Sequence, residues 1–169
     1  DCGQGTIRQL MGIRDPRQLD AIVIGHMHAD HYIDLVSLRY LLPWEGVAGE
    51  HLPVLLPPGG KERLDALATA VSERPRFFDD AYSVLEYDPG HRLHVGDLTL
   101  SFVAGRHYVP AWGCVITGPA GERLAISGDT GPSDAFVEAA RDADVAVIEA
   151  TLVDARFDDP RRGHVTPEE

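Results

Sequence analysis

The chain has 169 residues, 44% hydrophobic and 25% charged, the composition of an ordinary folded domain with one sizeable core. Its 27 acidic and 15 basic residues leave a formal charge of −12, which excludes a general nucleic-acid surface; "DDPRRGH" at 158–164 is the best candidate for a local basic patch. No run approaches the ~18 apolar residues of a membrane span. The two cysteines, Cys2 and Cys114, are far apart and make no disulfide framework, so a reducing, cytoplasmic setting is expected.

In chain order, "DCGQGT" opens the sequence with no strand before it. "AIVI" (21–24), "PVLL" (53–56), "LTLSFVA" (98–104), "GCVITG" (113–118), "RLAIS" (123–127) and "VAVIEA" (145–150) are short apolar runs bounded by Gly, Pro or Asp, and they predict strands. Helical periodicity runs over 32–42 and stops before Pro43, then over 61–73 before Pro75. A third helix is predicted over 132–143, with Pro and an acidic residue in its first turn. "PAGER" (119–123) predicts a hairpin turn between two strands. Hairpins mixed with strand–helix units predict an α/β fold with mixed sheets. No linker divides the chain, so one domain over 1–169 is expected. "HVTPEE" reads as the first turn of a helix, so the domain is expected to be incomplete at both termini.

The chemistry concentrates in "GHMHADHYID" (25–34), directly after the first strand. Along an extended segment His26 and His28 point the same way and can chelate one ion. The chain then turns toward a helix, which brings Asp30 and His31 beside them, a pair suited to a second ion. A histidine-rich polar loop is the plainer reading, but it does not explain this spacing after a buried strand. Two ions need further ligands. His107, in "GRHYVPAWG", and Asp129, in "GDTG", both sit where a strand gives way to a loop. Taken alone, His107 could be a structural histidine and Asp129 a turn or capping residue.

Taken together, "HMHADH", "RHYVPAWG", "SGDTG", "IEATL" and "GHVTPEE", with "DCGQGT" before them, resemble the metallo-β-lactamase superfamily, in the branch of tRNase Z and related phosphodiesterases. The resemblance implies an αββα sandwich with mixed sheets. It implies that His26, His28 and His107 hold a first metal, that Asp30 and His31 hold a second, and that Asp129 bridges both. Asp30, Glu149 and His164 become the candidate catalytic residues, with His164, held by Glu149, protonating the leaving group. Glu149 could otherwise cap a buried strand, and His164 could be an exposed loop histidine before a helix capped by Thr166. The family's last ligand to the second metal would fall beyond Glu169.

The implied cofactor is zinc, two ions per complete domain, with manganese or iron also accommodated by such ligands. Two cations would acidify a shared water, and the bridging hydroxide would attack phosphorus or a carbonyl carbon. A phosphodiester uses every part, because its leaving alkoxide needs a proton and imidazole is suited to supply one. The expected partner is a small-molecule or nucleotide phosphodiester, with a homodimer left open and no membrane. tRNA is disfavoured, because no long arm lies between the first cluster and His107 and the charge is −12. Thioester or lactam hydrolysis, and a non-catalytic metal-binding or regulatory domain, are the competing readings.

Overall fold

The short apolar runs build two sheets in the computed structural model, which describes residues 1–42, 51–74 and 76–169. The prolines expected to stop two helices, Pro43 and Pro75, lie outside the described residues. Each sheet belongs to one of two compact units, Asp1–Tyr87 and Asp88–Glu169. The fold class is the predicted one, α/β with one parallel and one mixed sheet.

In the first unit β1 (Ile22–Val23), β2 (Leu52–Leu56) and β3 (Tyr82–Glu86) pair in that order, all parallel. Parallel neighbours need crossover connections, and α3 (Gly60–Val71) supplies the one between β2 and β3. With α1 (Thr6–Met11) and α2 (Asp34–Arg39) it covers the sheet's apolar residues. Ile24, Leu35, Leu38, Val54, Leu56 and Leu64 are fully enclosed, and burial of each such side chain contributes roughly 1.5–3 kcal/mol.

Strand β3 has no counterpart among the predicted runs, because "YSVLE" is neither a continuous apolar run nor strictly alternating, and "FFDDA" borders it. Its pairing with β2 decides it. Two tyrosines then tie this edge to the rest. The Tyr82 hydroxyl donates to the Leu35 carbonyl at 2.7 Å and the Tyr87 hydroxyl to the Ile24 carbonyl at 3.0 Å. The second bond pins the backbone two residues before His26.

In the second unit β4 (Leu93–Val95), β5 (Leu98–Ala104), β6 (Trp112–Thr117) and β7 (Arg123–Ile126) form an antiparallel series, and β8 (Val145–Val147) joins β7 in parallel. The hairpin expected at 119–123 is present: Gly118 N–H donates to the Glu122 carbonyl at 2.9 Å, and Gly121 takes the left-handed φ of 92° that a turn demands. α4 (Asp134–Ala140) is the β7–β8 crossover; Ser133 Oγ accepts from the Phe136 N–H at 3.3 Å, and Phe136 packs on Val115 and Ala125. The run at 145–150 reads as a buried strand, yet Val145 and Val147 are exposed, since β8 is the sheet's edge.

Burial pushes the Cys2 thiol up to about 12 and the Cys114 thiol up to about 11. Only the thiolate is nucleophilic. At pH 8 the folded chain should therefore react with iodoacetamide at least roughly 100-fold more slowly than the urea-unfolded chain. Comparable rates in the two states would show that these thiols are not shielded.

Candidate functional site

The "HMHADH" stretch leaves the first sheet as extended backbone and then tightens into a single 3-10 turn, Ala29–His31. That change of course is what gathers the side chains. His26 Nε2 stands 3.1 Å from His28 Nδ1, and the rings of His26 and His31 lie 4.0 Å apart. His26 is fully buried. Asp30 is mostly exposed, its Oδ2 3.6 Å from His31 Nε2.

The opening "DCG" docks directly on this turn. Cys2 N–H donates to the His31 carbonyl at 2.7 Å, and Asp34 N–H donates to the Cys2 carbonyl at 3.0 Å. Gly3 is needed for the approach, because a Cβ there would lie 1.7 Å from the Asp30 carbonyl oxygen. Asp1 is thereby placed against His31. Its Oδ1 accepts the Gly25 N–H at 2.7 Å and its Oδ2 lies 2.7 Å from His31 Nδ1. At that distance the carboxylate accepts a hydrogen bond from Nδ1–H, which leaves Nε2 as the ligating nitrogen. One donor atom each from Asp1, His26 and His31 lie within 4.8 Å of one another.

The role of Asp1 escapes sequence reading, because "DCGQGT" looks only like a turn and its partner lies 30 positions away. Removing such an outer partner ordinarily weakens metal binding 10–100-fold. Asp1→Ala should lower zinc affinity by about that factor in a competition titration with a chromogenic chelator. An unchanged affinity would remove Asp1 from the metal's support.

In the second unit the loops after β5 and β7 and the segment after β8 carry the other candidates. His107 Nδ1 lies 2.8 Å from the Gly163 carbonyl, which can only accept, so Nδ1 bears the proton and Nε2 the lone pair. That Nε2 is 4.0 Å from Asp129 Oδ2. His164 Nδ1 is 2.9 Å from Glu149 Oε1 and 3.9 Å from Asp129 Oδ2. Glu149 is nearly enclosed and fully engaged: Oε1 also accepts the Thr130 N–H at 2.7 Å, and Oε2 accepts the Thr151 N–H at 3.1 Å. Glu149 thus ties the Asp129 loop to the His164 segment, which a cap on a lone strand would not do. One donor atom each from His107, Asp129 and His164 lie within 4.8 Å of one another.

The segment 158–164 differs from the loose basic loop that its sequence suggests. Arg161 pairs with Asp159 at 2.9 Å and Arg162 with Glu169 at 2.7 Å, so the cations are offset within the segment. Tyr108 and Asp158, neither of them a sequence candidate, hold it from beneath through the Tyr108 hydroxyl bond to Asp158 Oδ1. Nothing local separates Asp158 from Asp159. Only the D-x-R spacing, also ion-paired at Asp15–Arg17 and Asp154–Arg156, singles out Asp159.

With this geometry in view, comparison with known proteins is decisive: the β-lactamase superfamily domain matches residues 1–169. The chain belongs to that superfamily. It is 30% identical over 152 residues to an uncharacterized protein of Mycobacterium tuberculosis, a match covering 89% of this chain and 55% of the relative. It is 29% identical over 199 residues to ribonuclease BN of Escherichia coli, covering 90% of this chain and 65% of that one. The crystal structure of the short form of human tRNase Z shares the fold, with a TM-score of 0.72 at 23% identity over 99% of this chain and 72% of the other. The chain spans about half to two thirds of the length of the curated relatives it matches.

The superfamily's fold implies a divalent metal, and the donor sets fit one. Two donors each about 2.0–2.2 Å from one ion are separated by about 3.3 Å in a tetrahedron and by no more than about 4.4 Å. The 3.1 Å His26–His28 and 4.0 Å His107–Asp129 separations meet that condition. Neutral imidazoles with carboxylates suit zinc, manganese or iron alike.

Proposed function

We propose that this superfamily member is a zinc-dependent hydrolase of phosphodiesters. The observation that carries the reading is His164 itself, its ring held by Glu149 beside His107 and Asp129. A thioester expels a thiolate that leaves without a proton and has less need of such an acid, whereas an alkoxide leaving from phosphorus must be protonated. Ribonuclease BN, the relative from Escherichia coli, is named for cleavage of such bonds in RNA.

His26, His28, Asp30 and His31 of the first unit and His107 and Asp129 of the second are the residues that would hold the cations. When bound, two such ions make water acidic enough to attack near neutral pH and offset charge growing on the phosphoryl oxygens. The chain's own residues do the rest. Asp1 and the Gly163 carbonyl orient His31 and His107, Glu149 keeps the His164 ring in one orientation, and His164 Nε2 hands a proton to the leaving oxygen. The substrate is a small-molecule or nucleotide diester rather than tRNA, for which a chain of charge −12 offers little attraction. A cytoplasmic setting suits the two protonated, unpaired thiols. No helix among the described residues is long and apolar enough to cross a membrane.

Turnover of bis(p-nitrophenyl) phosphate by the full, zinc-loaded chain, set against a thioester and a cephalosporin, tests this. Diester hydrolysis should dominate, disappear on chelation and return with zinc. Preference for the thioester or the cephalosporin would assign another branch of the superfamily, and no turnover of any would leave a binding domain.

A further inference from the structure

Asp158 is a carboxylate with a side chain only 2% exposed, at the start of a turn that ends at His164. A buried carboxylate is costly unless its oxygens are occupied by donors. Here the donors come from the turn itself and from Tyr108. Oδ1 accepts from the Tyr108 hydroxyl and from the Asp159 N–H at 2.7 Å. Oδ2 accepts from the His164 N–H at 3.1 Å, with Arg162 Nε 3.7 Å away. Arg162 takes a left-handed φ of 57°, the one such non-glycine among the described residues. A side chain rarely adopts that conformation unless its surroundings impose it.

We propose that Asp158 is a positioning residue, fixing the 158–164 turn so that His164 is presented in register. The inference rests on the reading of His164 as the proton donor. His164 is held at both ends, its backbone N–H by Asp158 and its Nδ1 by Glu149. Between them Gly163 gives its carbonyl to His107 and packs under the Tyr108 ring, where a Cβ would come within 2.4 Å. One buried carboxylate therefore sets the place of the acid.

Asp158→Asn keeps the shape, yet in either amide orientation it meets at least one of the two backbone N–H groups with a donor. Hydrogen exchange at the Asp159 or the His164 amide, whichever the new NH2 group faces, should then rise roughly 10–100-fold, the scale for a lost hydrogen bond to a charged group. Turnover of an alkyl phosphodiester should fall by a similar factor with KM and bound zinc unchanged, and turnover of a p-nitrophenyl diester should fall far less. In a His164→Ala background Asp158→Asn should cost nothing further, because both act on one step. Tyr108→Phe, which removes one donor of three and keeps the ring over Gly163, should move every readout the same way and carries the test if Asp158→Asn fails to fold. Unchanged exchange at both amides, equal losses for both leaving groups, or a full additional loss in the His164→Ala background would each overturn the proposal. If His164→Ala shows no dependence on the leaving group while Asp158→Asn still loosens the Asp159 or the His164 amide, the acid reading fails and the positioning of the turn stands.

Discussion

His164→Ala is expected to retain both metals and to lose about 10²–10⁴-fold in turnover of alkyl phosphodiesters, the usual scale for a general acid. The ring can be removed without collapsing its surroundings. Glu149 Oε1 keeps its bond from the Thr130 N–H at 2.7 Å, and the His164 backbone N–H still reaches Asp158. The effect should depend on the substrate, because p-nitrophenolate departs without a proton and an alkoxide does not. For bis(p-nitrophenyl) phosphate the loss should shrink toward the wild-type rate. The competing role is concrete, since a nitrogen of His164 lies within 4.8 Å of donor atoms on His107 and Asp129. Loss of metal, with equal damage to both substrate types, would make His164 a ligand and end its role as the acid.

Gly131→Ala should be among the most damaging small substitutions near the site. The added Cβ would sit 1.9 Å from the Arg162 carbonyl oxygen and 2.8 Å from its carbon, while Gly131 N–H donates to the Arg106 carbonyl at 2.7 Å. Backbone meets backbone on both sides, so no side chain can rotate away, and one segment must move. Overpacking of this kind costs about 1–3 kcal/mol. A shift near 1 Å between the Asp129 loop and the His164 turn can cost about 10²-fold in rate. Gly121→Ala is the informative contrast. Its φ of 92° disfavours a side chain, but nothing lies within 4 Å, so stability should drop while activity is kept. Thermal unfolding and diester turnover measured on both variants decide the matter. Full activity and an unshifted midpoint for Gly131→Ala would mean that the two segments do not meet as described.

What could be recognised in the sequence was what local chemistry writes locally. Strand β5 falls where its apolar run predicts, and β6, β7 and α3 within a residue or two, because alternation, helical period and bounding turn residues act over neighbouring positions. The H-x-H-x-D-H spacing marked a metal-competent turn before any coordinates, since two residues apart on extended backbone means one face. His107, Asp129, Glu149 and His164 stood out only through their place after strands and the family resemblance.

The polar-flanked β3 was decided by tertiary context, as was how far the predicted runs at 21–24 and 145–150 extend as β1 and β8. Each depends on pairing with a strand distant in sequence, and such pairing leaves no periodic trace in two to five residues. The same holds for the supports of the site. Asp1 reaches His31 across 30 positions and Tyr108 reaches Asp158 across 50, so neither partner can be inferred from its neighbours. Sequence by itself determined the superfamily and singled out the candidate metal-binding and catalytic side chains, because their types and spacings are chemical requirements. Only the tertiary structure decided which carboxylates and carbonyls hold those side chains in place, because a hydrogen bond between distant segments exists only once the chain has folded them together.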